Sequence, residues 1–405
     1  MADAKPWDML MDYPVRRFEI TTFDGLVLRG EVFGDRSWPS TPIFCLPGLT
    51  RNSRDFHPLA ERLAGDPDNP RFVMILNSRG RGPSDYDKDP ENYTVLIEAN
   101  DAIHALTAAG LEKAIFIGTS RGGLLTMAIA ALRPGIIASA VLNDVGPVID
   151  ATGIARIKSY LTMSKPVSDW DDALSYMKTA NFNQFKNLSE EQWELFAQMT
   201  FRDEKGKPTS DFDKAIADSL GSLDLSQPLP AAWPQFIALS RCPVLVIRGE
   251  NSDLLSPSTA SEMLARHPDC ELFEVKDQGH APLFIFDELN ERIAAFATET
   301  DDKIKQEQTS AEPAFLAAED IIYLEIEEPE PEEEDAVEDE TDETLGAPSE
   351  KTPENTPETA PEDVMEDGPA DDPEVQNQAA EPPASDSETP KDDEQDRQEP
   401  LVTPI

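Results

Sequence analysis

The chain has 405 residues and a formal net charge of −46, and the acidity is uneven. Residues 301–405 hold 37 acidic and 5 basic side chains, a net of −32, which leaves 43 acidic and 29 basic side chains, a net of −14, for the first 300 residues. Neither portion offers the basic surface that nucleic acid or an anionic membrane requires, and no apolar run approaches the roughly 20 residues that span a bilayer.

In chain order, Phe18-Glu19-Ile20-Thr21-Thr22 alternates apolar and polar, Asp24-Gly25 follows, and Leu26-Val27-Leu28-Arg29-Gly30-Glu31-Val32 alternates again. That pattern predicts a hairpin. Ile43-Phe44-Cys45-Leu46 then runs unbroken into Pro47-Gly48, as expected of a strand buried on both faces. Similar runs occupy residues 72–76, 114–117 and 138–142, separated by helical patterns at 56–64, 93–109 and 122–132. Alternating β and α segments predict an α/β fold with a mostly parallel sheet and right-handed crossovers. The alternation stops over residues 147–238, which read as helices and polar connections containing Trp170, Trp193 and Trp233, with no strong strand. It resumes with a strand at 243–247, a helix at 258–266, a strand at 270–275 and an amphipathic helix near 284–297. The expected organisation is a core of residues 15–146 and 239–298, a helical cap insertion at 147–238, and a disordered acidic tail from 299 to 405. In the tail, Pro, Glu, Asp, Ser and Thr cannot bury enough apolar surface to offset an ordering entropy of about 1–2 kcal/mol per residue. One apolar island, at 314–324, interrupts the tail.

Three cysteines, Cys45, Cys242 and Cys270, lie in or beside apolar runs with no CxxC spacing, so buried reduced thiols are expected. Residues 1–12 lack the apolar stretch of a signal peptide. A cytoplasmic location is the expectation.

Gly118-Thr119-Ser120-Arg121-Gly122 fits G-x-S-x-G between a buried strand and a helix. This is the strand–turn–helix setting in which a serine is projected above the sheet and the flanking glycines let backbones approach. A neutral hydroxyl needs a base, and the chain offers four histidines. His104 falls mid-helix, His57 follows the early glycine loop, and His267 precedes Pro268 at a helix end. His280, in Gln278-Gly279-His280-Ala281-Pro282, follows the last strand. The carboxyl end of a strand is where an open α/β sheet places its site, so His280 is the candidate base. The candidate acid is Asp253, 133 residues after Ser120 and 27 before His280 in the chain order Ser, Asp, His. Asp144, after the strand that follows the serine, and Glu250 are rivals. Donors for a developing oxyanion are expected from the backbone N–H groups of Arg121 and Leu49, the latter in Pro47-Gly48-Leu49-Thr50.

Together these residues resemble the α/β-hydrolase superfamily over residues 15–298. The resemblance includes Leu46-Pro47-Gly48 with Arg51-Asn52-Ser53-Arg54-Asp55-Phe56. It also includes Asn77-Ser78-Arg79-Gly80-Arg81-Gly82-Pro83-Ser84-Asp85, similar to the family's D-x-R-G-x-G-x-S, with Asn77 standing where the family carries Asp. The resemblance implies a helical cap over the pocket and, with serine as nucleophile, hydrolysis of a small-molecule carboxylic ester or lactone through an acyl-enzyme, without metal or organic cofactor. Two alternatives are carbon–carbon bond hydrolysis of a diketone-like ring-cleavage product, and a non-catalytic role in which the acidic tail binds a basic protein partner.

Overall fold

Apolar runs without alternation can be satisfied only in the middle of a sheet covered on both sides. In the computed structural model β3 (Ile43–Leu46), β4 (Val73–Leu76), β5 (Ala114–Thr119), β6 (Ile137–Asn143) and β9 (Val244–Gly249) are buried at every position. Alternating segments lie at the sheet's margins: β1 (Arg16–Thr21) and β2 (Val27–Phe33) on one side, β10 (Cys270–Val275) on the other. The eight strands run in the order β1–β2–β4–β3–β5–β6–β9–β10. Pairing is antiparallel for β1/β2 and β2/β4 and parallel for all the rest. The structure describes residues 13–163, 167–222 and 229–310, all within one compact unit. The second unit, Ile322–Ile405, lies outside them, as does the apolar island at 314–324.

Two apolar layers flank the sheet. On one face, Phe44, Phe116, Leu142 and Val246 pack against α2 (Val95–Ala108), α3 (Arg121–Leu132) and α9 (Pro257–Arg266). On the other, Ile43, Ile75, Ile117 and Ile247 pack against α1 (His57–Ala64) and α10 (Asp287–Ser310). Each fully buried Leu, Ile or Phe contributes about 1.5–3 kcal/mol. Polar side chains set the helix starts. Thr94 accepts from the Ile97 N–H at the start of α2, and Ser256 from the Thr259 N–H at the start of α9.

The insertion carries α4 (Ala151–Met163), α5 (Trp170–Asn181), α6 (Glu190–Thr200), α7 (Lys214–Ser222) and α8 (Trp233–Ile237). Trp193, Phe196 and Phe185 form its own small core. Its ends meet, since the Ala232 N–H donates to the Pro147 carbonyl at 2.7 Å. Two details differ from the sequence expectation. A hairpin, β7 (Phe201–Glu204) and β8 (Lys207–Ser210), interrupts the helices. It turns on Lys205 and Gly206, both at positive φ (56° and 88°), the backbone that a two-residue hairpin turn requires. The last helix also does not stop near 297. It continues to Ser310, so 299–310 belong to an ordered helix and not to the tail. Asp301 explains the extension, because its carboxylate accepts from Arg71 Nη2 at 2.7 Å in a pair that is almost wholly buried.

Cys45 is buried and its thiol is pushed well up by burial. Cys242 and Cys270 are half-buried, and burial pushes each up to about 12.

Candidate active site

Ser120 sits between β5 and α3 with φ 51° and ψ −113°, a conformation that non-glycine residues rarely hold. Its surroundings enforce the turn. A Cβ on Gly118 would lie 2.4 Å from the Gly122 backbone, and one on Gly122 would lie 1.9 Å from the Leu46 carbonyl oxygen. Strand, turn and helix are thus in contact without intervening side chains. The Ser120 N–H donates to the Asn143 carbonyl at 2.9 Å, which ties the turn to β6.

His280 lies beside it, with Nε2 2.8 Å from Ser120 Oγ and Nδ1 2.8 Å from Asp144 Oδ2. A carboxylate can only accept, so Nδ1 carries the proton and Nε2 is free to accept from the serine hydroxyl. The imidazole is 8% exposed and the Asp144 carboxylate fully buried. Asp144 also accepts from the Gly249 N–H at 2.8 Å and from Ser252 Oγ at 2.6 Å. Its own N–H donates to the Ile247 carbonyl at 2.8 Å, and its φ of 57° turns it from the end of β6 toward β9.

The expectation that Asp253 faces His280 is therefore corrected: the partner is Asp144. The Asp253 carboxylate is held elsewhere, by Arg156 Nε at 2.6 Å and Nη2 at 3.0 Å from helix α4 of the insertion. Glu250 also turns away, accepting from the Asp277 N–H at 2.9 Å. The other histidines stand apart from the serine. His57 Nε2 contacts Glu31 at 2.7 Å, His104 meets the Phe23 ring edge-on, and His267 Nδ1 accepts from the Asp269 N–H.

A cavity of about 480 Å³ opens on Ser120 and His280. Gly48 and Leu49 border it near the serine, and Tyr176, Met177, Phe196 and Met199 form its insertion side. Arg51, which follows the Leu46-Pro47-Gly48 loop, reaches across to Thr200 and lies 5.1 Å from the Phe196 ring centre.

Arg121 is the first residue of α3, so its N–H has no partner within the helix. Its side chain is drawn aside to Glu98, with Nη2 at 2.8 Å, and to the Tyr93 carbonyl at 3.0 Å. Glu98 is buried and also accepts from Arg81 Nη1 at 3.0 Å, while Arg81 Nε donates to the Leu49 carbonyl at 2.7 Å. Burial raises the Glu98 carboxyl, but Arg81 and Arg121 outweigh it and hold the group below its ordinary value. One buried carboxylate thus braces the Leu49 segment, through Arg81, and the start of α3, through Arg121. Asn77 does not meet Arg79. It accepts from the Ser53 N–H and donates to the Arg29 carbonyl. Arg79 is instead paired with Asp101, Asp24 and Asp87.

Residues 41–287 match the family model described as alpha/beta hydrolase fold. The chain belongs to the α/β-hydrolase family. Among the relatives of this α/β-hydrolase is a 3-hydroxybutyrate-oligomer hydrolase of Cupriavidus necator. The two are 31% identical over 265 residues, covering 62% of this chain and 86% of the relative. Esterase YbfF of Escherichia coli is 27% identical over 242 residues, covering 60% of this chain and 86% of the esterase. The crystal structure of an α/β-hydrolase from Novosphingobium aromaticivorans is similar with a TM-score of 0.64 and 38% identity, covering 70% of this chain and 98% of that one. Among the described residues of this α/β-hydrolase, no helix is long and apolar enough to cross a membrane.

Proposed function

We propose that the chain hydrolyses carboxylic esters through Ser120 as nucleophile, His280 as base and Asp144 as the acid that orients it. The observation that carries this reading is the continuous hydrogen-bonded series Ser120 Oγ, His280 Nε2, His280 Nδ1, Asp144 Oδ2, whose serine and histidine line the cavity. The serine proton passes to His280 Nε2 as Oγ bonds to the ester carbonyl carbon. The resulting oxyanion is received by the Leu49 and Arg121 N–H groups. As the carbon–oxygen bond to the alcohol breaks, His280 returns the proton to the departing oxygen. Water then takes the serine's part, His280 accepts its proton, and the acid leaves with Ser120 restored.

The largely apolar lining suits an acyl chain of modest length. The relationship to a 3-hydroxybutyrate-oligomer hydrolase makes short hydroxyacyl oligoesters the first natural substrates to try. The test is turnover of p-nitrophenyl esters of graded acyl length and of 3-hydroxybutyrate oligomers. Ser120→Ala is expected to lower kcat by about 10⁶. Activity that survives this substitution overturns the reading.

A further inference from the structure

Gln184 lies in the insertion, between α5 and α6, and is buried. Its side-chain oxygen accepts from the backbone N–H of His280 at 2.8 Å. Its side-chain nitrogen donates to Asp253 Oδ2 at 3.2 Å. An amide has one accepting end and two donating hydrogens, and only one of its two orientations satisfies both neighbours. The Asp253 carboxylate accepts but cannot donate, so it fixes which end of Gln184 faces His280. Arg156 in turn holds that carboxylate with two hydrogen bonds. The fit at the histidine end is close, since a Cβ on Gly279 would lie 2.1 Å from Gln184 Oε1. A second strut runs alongside, in which Asn251 Nδ2 donates to the Gln184 carbonyl and the Asn251 N–H to the Gln278 carbonyl.

We propose that Gln184 is a positioning residue for His280, and that Asp253 and Arg156 act through it. The insertion then supplies the prop that holds the histidine at hydrogen-bonding distance from Ser120, in addition to walling the cavity. The acid at the position after β9 serves the same histidine from its backbone side, while Asp144 serves the ring. This inference rests on the assignment of Ser120 and His280 given above.

The test measures the rate at which a fluorophosphonate probe labels Ser120 in the full-length chain, together with kcat and KM for a p-nitrophenyl ester. Gln184→Met keeps the volume and removes both hydrogen bonds. Labelling and kcat are expected to fall about tenfold or more with KM within about threefold, since small displacements of reacting groups are costly. Gln184→Glu sets a carboxylate against Asp253 and is expected to slow labelling as well. Adding Asp253→Asn to Gln184→Glu restores a donor opposite the new carboxylate, and the pair is expected to return to within about threefold of the parent. Parent-like labelling in Gln184→Met overturns the proposal. So does a double variant no faster than Gln184→Glu at an unchanged melting temperature. Should Gln184→Met fail to fold, the comparison between Gln184→Glu and its double variant decides. A parent chain that the probe does not label at Ser120 overturns the serine-hydrolase reading itself, a result distinct from equal labelling of parent and variants.

Discussion

Asp144 offers two oxygens to three donors: His280 Nδ1, the Gly249 N–H and Ser252 Oγ. Asn at this position would turn an N–H₂ group toward one of those donors and favour the wrong histidine tautomer. Asp144→Asn is expected to lower kcat by about 10⁴. Asp253→Asn, acting only through Gln184 and Arg156, is expected to lower it by no more than about tenfold. Steady-state kinetics on one ester separates the two, and a larger loss at Asp253 would reverse the assignment. The meeting of Ser120 and His280 was legible in the sequence because each sits in a local frame, a strand–turn–helix pentapeptide and a loop after the last strand. The acid was not. Both aspartates follow a strand of the sheet, and what separates them lies far away in the chain: Arg156, 97 positions from Asp253, holds that carboxylate, while Gly249 and Ser252 donate to Asp144. Gln184 left no mark in the sequence, since its role exists only once the insertion folds against the loop of His280.

At the scale of elements, the junction of β3, β5 and α3 leaves no room for a methyl group. Gly122→Ala would drive a carbon into the Leu46 carbonyl and displace β3 together with the Leu49 loop that continues from it. Overpacking of this kind costs about 1–3 kcal/mol, and here it also moves the Leu49 amide, proposed above as an oxyanion donor. A lower urea midpoint and a larger loss of kcat than of stability are expected. The strands were readable from their runs, since only central strands tolerate unbroken apolar sequence. The β7–β8 hairpin was not, because it is short and polar, with Lys205-Gly206 as its one turn signal. Helix α2 contributes Glu98, whose carboxyl stays below its ordinary value because Arg81 and Arg121 outweigh burial. A lowered carboxyl stabilises the fold above its unfolded value of about 4.3, and that contribution is lost as pH falls through the folded value. Asp101 opposes this trend, because burial raises it. Glu98→Gln is expected to be less stable at neutral pH but to lose less between about pH 5 and pH 3. Urea midpoints across that range provide the check, and an acid limb as steep as the parent's would show that Glu98 does not shape it.

At the scale of the whole molecule, the buried Arg71–Asp301 pair fixes where the folded part can be cut. A chain ending at residue 310 retains the pair, whereas one ending at 300 leaves the Arg71 guanidinium buried without its carboxylate. Loss of one partner of a buried pair costs about 3–5 kcal/mol. The shorter chain is therefore expected to melt well below the longer one, with Asp301→Asn in the full chain lying between them. Equal melting temperatures would assign the last turns of α10 no stabilising part. Composition placed the end of the folded part too early, because residues 299–310 are almost all polar and, among 299–309, only Thr300, Asp301 and Ile304 reach inward.

The contact between Pro147 and Ala232 has a different kind of consequence. To the rest of the chain the insertion is a detour that leaves and rejoins at one point. Lengthening or shortening such a detour changes closure entropy by only about 0.6 kcal/mol per doubling. The scaffold can therefore exchange one detour for another over evolutionary time at little cost to its own folding. Exchange is not neutral for chemistry, however. A graft that brings a new cavity wall without a Gln184 and an Arg156 would arrive with a new substrate preference and a loosened histidine. Selectivity and turnover are inherited here as one piece.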